Sequence, residues 1–412
     1  MLLLTILLEH ERFCGQYPLS EFRYHMKKYC QFILGALILI SVNSHAAVVE
    51  GLYKSEVAIS GQGKSERDGA MQGAIQEVFA KVSGQSNIAS IEGIKRVIDN
   101  ASLYVQQYGY RKLKGQELVE HKAGGGSGNQ VVWFRFDERA INKVLRENNL
   151  PVWGKTRPTT LVWLAIEEGR GRYILGSDTL EDVRASLKRE ANRRGLSILI
   201  PLLDLEDQTA LPFADLWGDF QETILQASKR YQAEAVLVGR MSLTRSDIWE
   251  GRWTLYEHGN SLNWSYQGTM SNHVLAAGVS GAMEILAKQY AQITVTTAPA
   301  DIVLSVLDVA NLRDYVRVTK YLASLEQIKG IQSAYVDSSS VGFNLQLRGG
   351  PEKLKQTIGL GSVLAAEQQA PSAPQLSPFG GFPSPDSTQT QPETIDFPTR
   401  FGDKEFIFRL LP

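Results

Sequence analysis

One run constrains this chain more than any other: Thr159 to Ile166, TTLVWLAI, nearly unbroken in apolar residues and preceded by Pro158. It is too short for an interior helix, and its β-branched and aromatic residues favour an extended chain. A strand with no polar face must be covered on both sides, which is the arrangement of layered α/β sheets. The flanking pattern agrees. Asp178 with Glu181 reads as a capping box for a helix through Arg194, and Asp219 with Glu222 as another for a helix ending near Tyr231. Strands are expected at Leu196–Leu203 and Ala233–Leu243. A hairpin follows, with Trp249, Trp253 and Leu255 on its first strand and Leu262, Trp264 and Tyr266 on the return. His258-Gly259-Asn260 supplies its turn, and a helix over Val274–Tyr290 closes the region.

The regions on either side read as smaller mixed modules. Residues 48–150 give a strand at Val49–Ile59, then a helix from Ser65 with Asp68 as a variant capping box. Met71, Ile75, Val78, Phe79 and Val82 form one face of that helix, and Gly84 ends it. A helix over Ile91–Tyr104, strands at Tyr108–His121 and Gln130–Asp137, and a short helix capped by Asp137 complete that module. Residues 301–412 give strand Ile302–Val309, helix Leu312–Leu325, strands Ile331–Asp337 and Val341–Leu347, and a short helix from Pro351. A final strand, Glu405–Leu411, returns to the sheet. Residues 370–394, rich in Pro, Ser, Gln and Thr, read as a disordered insertion. The expected class is α+β: three small mixed modules in series at 48–150, 157–297 and 301–412.

Met26 to Ala46 has the form of a cleavable export signal. Lys27-Lys28 lead an apolar run, Phe32–Val42, and Ser44-His45-Ala46 offers small residues at the cleavage site. The run is about half of the roughly 20 residues a spanning helix needs, so no stable membrane anchor is expected after cleavage. Residues 1–25 read as an over-extended start before the true initiator, Met26. Both cysteines, Cys14 and Cys30, precede the cleavage point, so the exported chain is expected to carry neither disulfide nor cysteine-bound metal. The expected location is the periplasm.

Composition narrows the partners. Net charge is −1, with 21% charged and 43% apolar residues. Nucleic acid needs a basic face, and no Lys/Arg run supplies one. Lys188-Arg189 and Arg193-Arg194 read as the wet side of one helix.

Several motifs carry possible chemistry. Ala58-x-x-x-x-Gly63-Lys64-Ser65 fits the relaxed phosphate-loop pattern, but the preceding strand alternates, whereas a phosphate-loop strand is buried on both faces. A Gly-rich turn feeding a Ser-capped helix explains it better. Asp204, Glu206, Asp207 and Asp215 follow a strand end, where open α/β sheets bind ligands; a metal or acid–base site is one reading, capping and solvation the other. His121, His258 and His273 lack ligand spacing, and Gly125–Asn129 lacks the last glycine of a nucleophile elbow. Trp249, Trp253, Trp264 and Tyr266 could form an aromatic binding platform, although such cross-strand rings more often stabilise a hairpin against its helix.

The Val49-Glu50-Gly51-Leu52-Tyr53 start, the Arg67-Asp68-Gly69-Ala70 helix opening and Val236-Leu237-Val238-Gly239-Arg240 together resemble a secreted proteobacterial family known only as a domain of unknown function. The resemblance covers most of residues 48–360 and implies no activity or catalytic residues. More loosely, Thr159–Leu203 and the Ala233–Arg240 strand are similar in element order to envelope-factor α/β domains: the amino-terminal domain of the Tol translocation protein and the middle domain of the flagellar T-ring protein. The resulting expectation is a non-enzymatic binding or accessory factor for cell-envelope components, with an envelope protein as partner and no cofactor. A periplasmic receptor for a small ligand or glycan is the alternative, and a metal-dependent hydrolase a weaker third.

Overall fold

The computed structural model describes residues 47–115, 117–118, 128–291, 301–337, 339–367 and 405–411. The expected export signal, Met26–Ala46, residues 1–25, His121 and the insertion expected at 370–394 lie outside them. In the first region come β1 (Ala47–Val48), β2 (Lys54–Ile59), α1 (Lys64–Ser83), α2 (Glu92–Asp99), β3 (Val105–Lys112), β4 (Gln130–Phe136) and α3 (Glu138–Glu147). β4 is the middle strand of an antiparallel three-stranded sheet with β2 and β3 at its edges. The expected apolar face of α1 is buried, and Gly84, at φ 75°, ends the helix with its N–H on the Ala80 carbonyl. Asp137 caps α3 by accepting from the Ala140 N–H at 2.8 Å.

Other local expectations fail here. Gly63, not Ser65, is the N-cap of α1, and Glu66 instead accepts the Ser60 N–H at 2.6 Å. The helix expected over 91–104 breaks after Asp99 and resumes as a 3₁₀ turn, Ala101–Tyr104. The strand expected to reach His121 stops at Lys112, and residues 115, 117 and 118 are helical.

The middle region contains β5 (Thr156–Arg157), β6 (Thr159–Glu168), β7 (Gly171–Ile174), α4 (Glu181–Arg194), β8 (Ser197–Leu199), α5 (Leu205–Ala210), α6 (Phe213–Gly218) and α7 (Gln221–Ser228). It continues through β9 (Ala235–Leu243), β10 (Trp249–Glu257), β11 (Asn260–Gly268) and α8 (Ser271–Tyr290). Its sheet runs β11-β10-β9-β6-β7, with β8 alongside the start of β6 and β6 parallel to both β8 and β9. β6 is covered on both faces. Val162, Leu164 and Ile166 enter the core shared with α4 and α8; Leu161, Trp163 and Ala165 enter the one shared with α6 and α7. That explains the unbroken apolar run.

β8 has three residues instead of the expected eight, since Pro201 lacks a ladder donor and Leu203 takes φ 56°. Neither expected capping box forms. Leu180 is the N-cap of α4 and Phe220 that of α7. Asp219 itself sits at φ 58°, closing α6.

The last region comprises β12 (Asp301–Leu307), α9 (Leu312–Ala323), β13 (Ile328–Val336), β14 (Ser340–Leu347), α10 (Pro351–Leu360), β15 (Leu364–Ala366) and β16 (Glu405–Leu410). Its sheet order is β13-β14-β12-β16-β15. β16 returns as expected, lying parallel to β12.

The joint between the first and middle regions is built on Arg157, which is fully buried. Its Nε donates to the Gly154 carbonyl (3.0 Å) and Nη1 to that of Gly195 (2.7 Å). Nη2 donates to Lys81 (2.9 Å) and Trp153 (3.0 Å), and the guanidinium lies 4.3 Å from the Trp153 ring centroid. Lys81 belongs to the last turn of α1 and Gly195 ends α4, so the cation meets the negative ends of two helices. Burial pushes its pKa down to about 9, which leaves it charged at neutral pH. A second joint ties α3 to the last region: Glu326 accepts from Arg146 Nη2 at 2.6 Å and from Asn142 Nδ2 at 3.1 Å.

Candidate functional site

The edge strand β2 borders a cleft of about 1150 Å³. The Phe136 N–H donates to the Tyr53 carbonyl, which fixes the bonding parity of the β2–β4 ladder. Ser55, Val57 and Ile59 therefore bond β4, while the N–H and C=O groups of Lys54, Glu56 and Ala58 point the other way. Those of Lys54 are taken: its N–H meets the Gly51 carbonyl, and its own carbonyl accepts Lys81 Nζ at 2.9 Å. The main-chain groups of Glu56 and Ala58 meet no strand partner among the described residues, and both residues line the cleft.

Opposite stand Ser186, Arg189, Glu190 and Arg193 of α4, while Trp249, Met270 and His273 line the part beside the start of α8. Charges of both signs fill the walls. Glu56 pairs with Lys54 (2.7 Å) and Arg111, which also holds Glu117 (2.6 Å). Burial opposes ionisation of Glu56, but these two cations prevail and its pKa falls. At the floor, burial raises the Glu77 carboxyl and lowers the Lys81 ammonium, 3.5 Å apart. Arg193 is paired with Glu190 at 2.8 Å. This wall can offer main-chain hydrogen bonds to an extended chain, charges to its side chains, and Trp249 and Met270 to an apolar one.

Of the aromatic residues proposed as a platform, Trp249 alone lines the cleft. Trp253 is fully buried and therefore cannot serve as a binding surface. Its ring lies against Gly278 of α8, where an added Cβ would come within 2.3 Å. Trp264 is half-buried against Gly281, and its Nε1 donates to the Ala277 carbonyl at 3.3 Å. Tyr266 remains exposed. Small residues on α8 let both indole rings pack, which is the hairpin–helix role.

The acidic loop is gathered around one arginine. Arg230 holds Asp204 (2.8 Å), Asp207 (3.0 Å) and Glu206 (3.4 Å). Asp204 also caps α5, and its hydrogen bond to Arg230 draws its pKa down to about 2. Asp207 is fully buried and accepts the Leu203 N–H and the Tyr231 hydroxyl. Asp215 lies in the first turn of α6 and is not among these partners. Among the described residues, no group of three or more His, Cys, Asp or Glu could hold a metal ion. Lys64 and Ser65 follow an antiparallel edge strand, not the central buried strand of a phosphate loop. His258 is in the hairpin turn.

Two clusters escaped the sequence reading. Arg230 could have been suspected from its opposite charge, but nothing local shows that it reaches back to Asp204. Asp219, read as a cap, instead accepts from the Thr254 hydroxyl (2.7 Å), the Tyr256 hydroxyl (2.9 Å) and Arg240 (2.9 Å).

Residues 46–154, which supply β2 and its wall of the cleft, match the profile of a domain of unknown function (DUF8605). No curated protein matches the chain. Among solved structures, the crystal structure of an uncharacterized protein is similar over 32% of this chain and 97% of that one, at 11% identity and a TM-score of 0.13. A score that low says nothing about the fold. Among the described residues, no helix is long and apolar enough to cross a membrane.

Proposed function

We propose that this protein is an exported, non-enzymatic binding or accessory factor of the cell envelope, and that it holds an extended segment of a partner protein in the β2 cleft. The observation that carries this reading is the open main chain of Glu56 and Ala58 along the cleft wall. Strand addition to such an edge draws affinity from main-chain bonds and specificity from alternate side chains. The volume, about 1150 Å³, exceeds the roughly 300–1,000 Å³ usual for small-molecule pockets, which favours a chain segment. The runner-up, a periplasmic receptor for a small ligand or glycan, draws on Trp249 in the cleft wall. Export itself rests on the Met26–Ala46 signal pattern.

The test is cross-linking in intact cells from a photoreactive residue placed at Ser186, with Ala58→Pro as the contrast. The Ala58 N–H faces the cleft, so proline there blocks addition without breaking the β2–β4 ladder. One envelope protein captured by the parent and lost in Ala58→Pro is the expected outcome. Equal capture by both chains, or capture of no protein, would overturn the reading.

A further inference from the structure

Every sheet edge exposes unpaired main-chain groups, and proteins blunt such edges with charge, proline, bulges or short length. Most edges here follow that rule. β7 has four residues, including Arg172, and β15 has three. β3 carries Arg111, Lys112 and an irregularity near its start, while β13 carries Lys329 and two irregularities. β2 carries Lys54 and Glu56, and its open main chain is confined to Glu56 and Ala58 inside the cleft assigned above to a partner segment. Among the described strands the exception is β11. Its nine residues, NSLNWSYQG, contain no charge and no proline, and pair with β10 in unbroken register. Leu262 is 49% exposed and Tyr266 42%, at the margin of the face that α8 covers.

The direction of its free groups follows from the hairpin. His258 and Gly259 both take positive φ, 46° and 78°, so a two-residue turn closes on the bonded pair Glu257–Asn260. Residues 260, 262, 264, 266 and 268 therefore bond β10. Independently, the Thr244 N–H bonds the Ile248 carbonyl, which sets the same parity from the β9 side. The main-chain groups of Ser261, Asn263, Ser265 and Gln267 point outward, and among the described residues no further strand lies beyond β11.

This row is self-complementary. An antiparallel copy of β11, related by a two-fold axis through Trp264, sets Ser261 against Gln267 and Asn263 against Ser265, each pair bonded in both directions. All four outward residues are used. In the alternating non-bonded positions, where side chains approach most closely, Leu262 meets Tyr266 and Trp264 meets its own copy. The apolar row thus continues across the axis on the α8 face. Moving the axis by one residue leaves one outward residue without a partner. We propose that β11 is a homodimer edge, at which two copies of this chain join their middle sheets into one sheet ten strands wide. The surface is separate from the β2 cleft, and the proposal does not depend on the function assigned there.

Sedimentation of the purified chain, with two edge variants, tests this. Ser265→Pro removes an outward N–H while sparing the bonds to β10. Asn263→Glu with Ser265→Glu sets like charges across the axis, and within the monomer residue 265 faces Arg252. The parent is expected at twice the monomer mass, with both variants about 100-fold or more weaker in self-association and unchanged in circular dichroism. In a Cys14→Ser, Cys30→Ser background, Leu262→Cys with Tyr266→Cys should yield a covalent dimer, and neither cysteine alone should. A monomeric parent, a dimer indifferent to both edge variants, or a dimer that the cysteine pair fails to link would overturn the proposal.

Discussion

Arg157 and Arg230 are both held by several acceptors, yet they do opposite things for the molecule. Arg230 is at the surface, 29% exposed, and faces three carboxylates. Arg157 is fully buried, and four of its hydrogen bonds go to main-chain carbonyls and one to Met283 Sδ at 3.8 Å. The first offsets part of the repulsion among the carboxylates of one loop. The second joins helix ends from two regions of the chain and so couples their folding. A charge count would rank Arg230 the more important, but burial reverses that order, because orphaned groups in the interior cannot turn to water.

The sharpest test of the contrast is Arg157→Ala. It leaves a cavity and strips a donor from the carbonyls of Lys81, Trp153, Gly154 and Gly195. A loss of about 4 kcal/mol is expected, read as a large fall in the denaturant midpoint. Arg157→Lys should recover only part of it, since an ammonium cannot span the acceptors with a planar fork. A loss below about 1 kcal/mol for the alanine variant would mean that packing alone holds the joint. Next in size is Glu326→Ala, which removes the partner of Arg146 and Asn142 at the half-buried joint to the last region. About 1 kcal/mol is expected, because exposure screens the pair. An effect as large as that of Arg157→Ala would place the main coupling there instead.

The same contrast marks what could be read from residue order. β6 was legible because burial on both faces leaves an unbroken apolar run, and α1 because its buried positions recur at helical spacing. Asp137 was legible as a cap because its partner is three residues away. Asp219 had the same local signature, but residues 35 and 37 positions further on, Thr254 and Tyr256, claim its carboxylate. Arg157 gave no signal, since four of its partners are main-chain carbonyls, which every residue possesses. Of the aromatic candidates, the hairpin was foreseen, but the depth of Trp253 depends on the glycine opposite it in α8. The cleft combines an edge strand with a helix more than a hundred residues away, so no single stretch announces it.

The smallest expected effect concerns Arg230→Gln, and its pH dependence separates charge from packing. The hydrogen bond to Arg230 holds Asp204 down at about 2, below the ordinary carboxylate value of about 4. A carboxyl depressed on folding stabilises the protein above its unfolded pKa, and that contribution fades as pH falls towards the folded value. Unfolding midpoints of parent and variant should therefore differ at neutral pH, converge between about pH 4 and pH 2, and converge also in high salt. Asp207 should stay in place meanwhile, since the Leu203 N–H and the Tyr231 hydroxyl still reach it. A difference that persists unchanged to pH 2 would assign the role of Arg230 to the packing of its side chain over the Tyr231 ring, 5.4 Å away. In that case the surface arginine would resemble the buried one more closely than its carboxylates suggest.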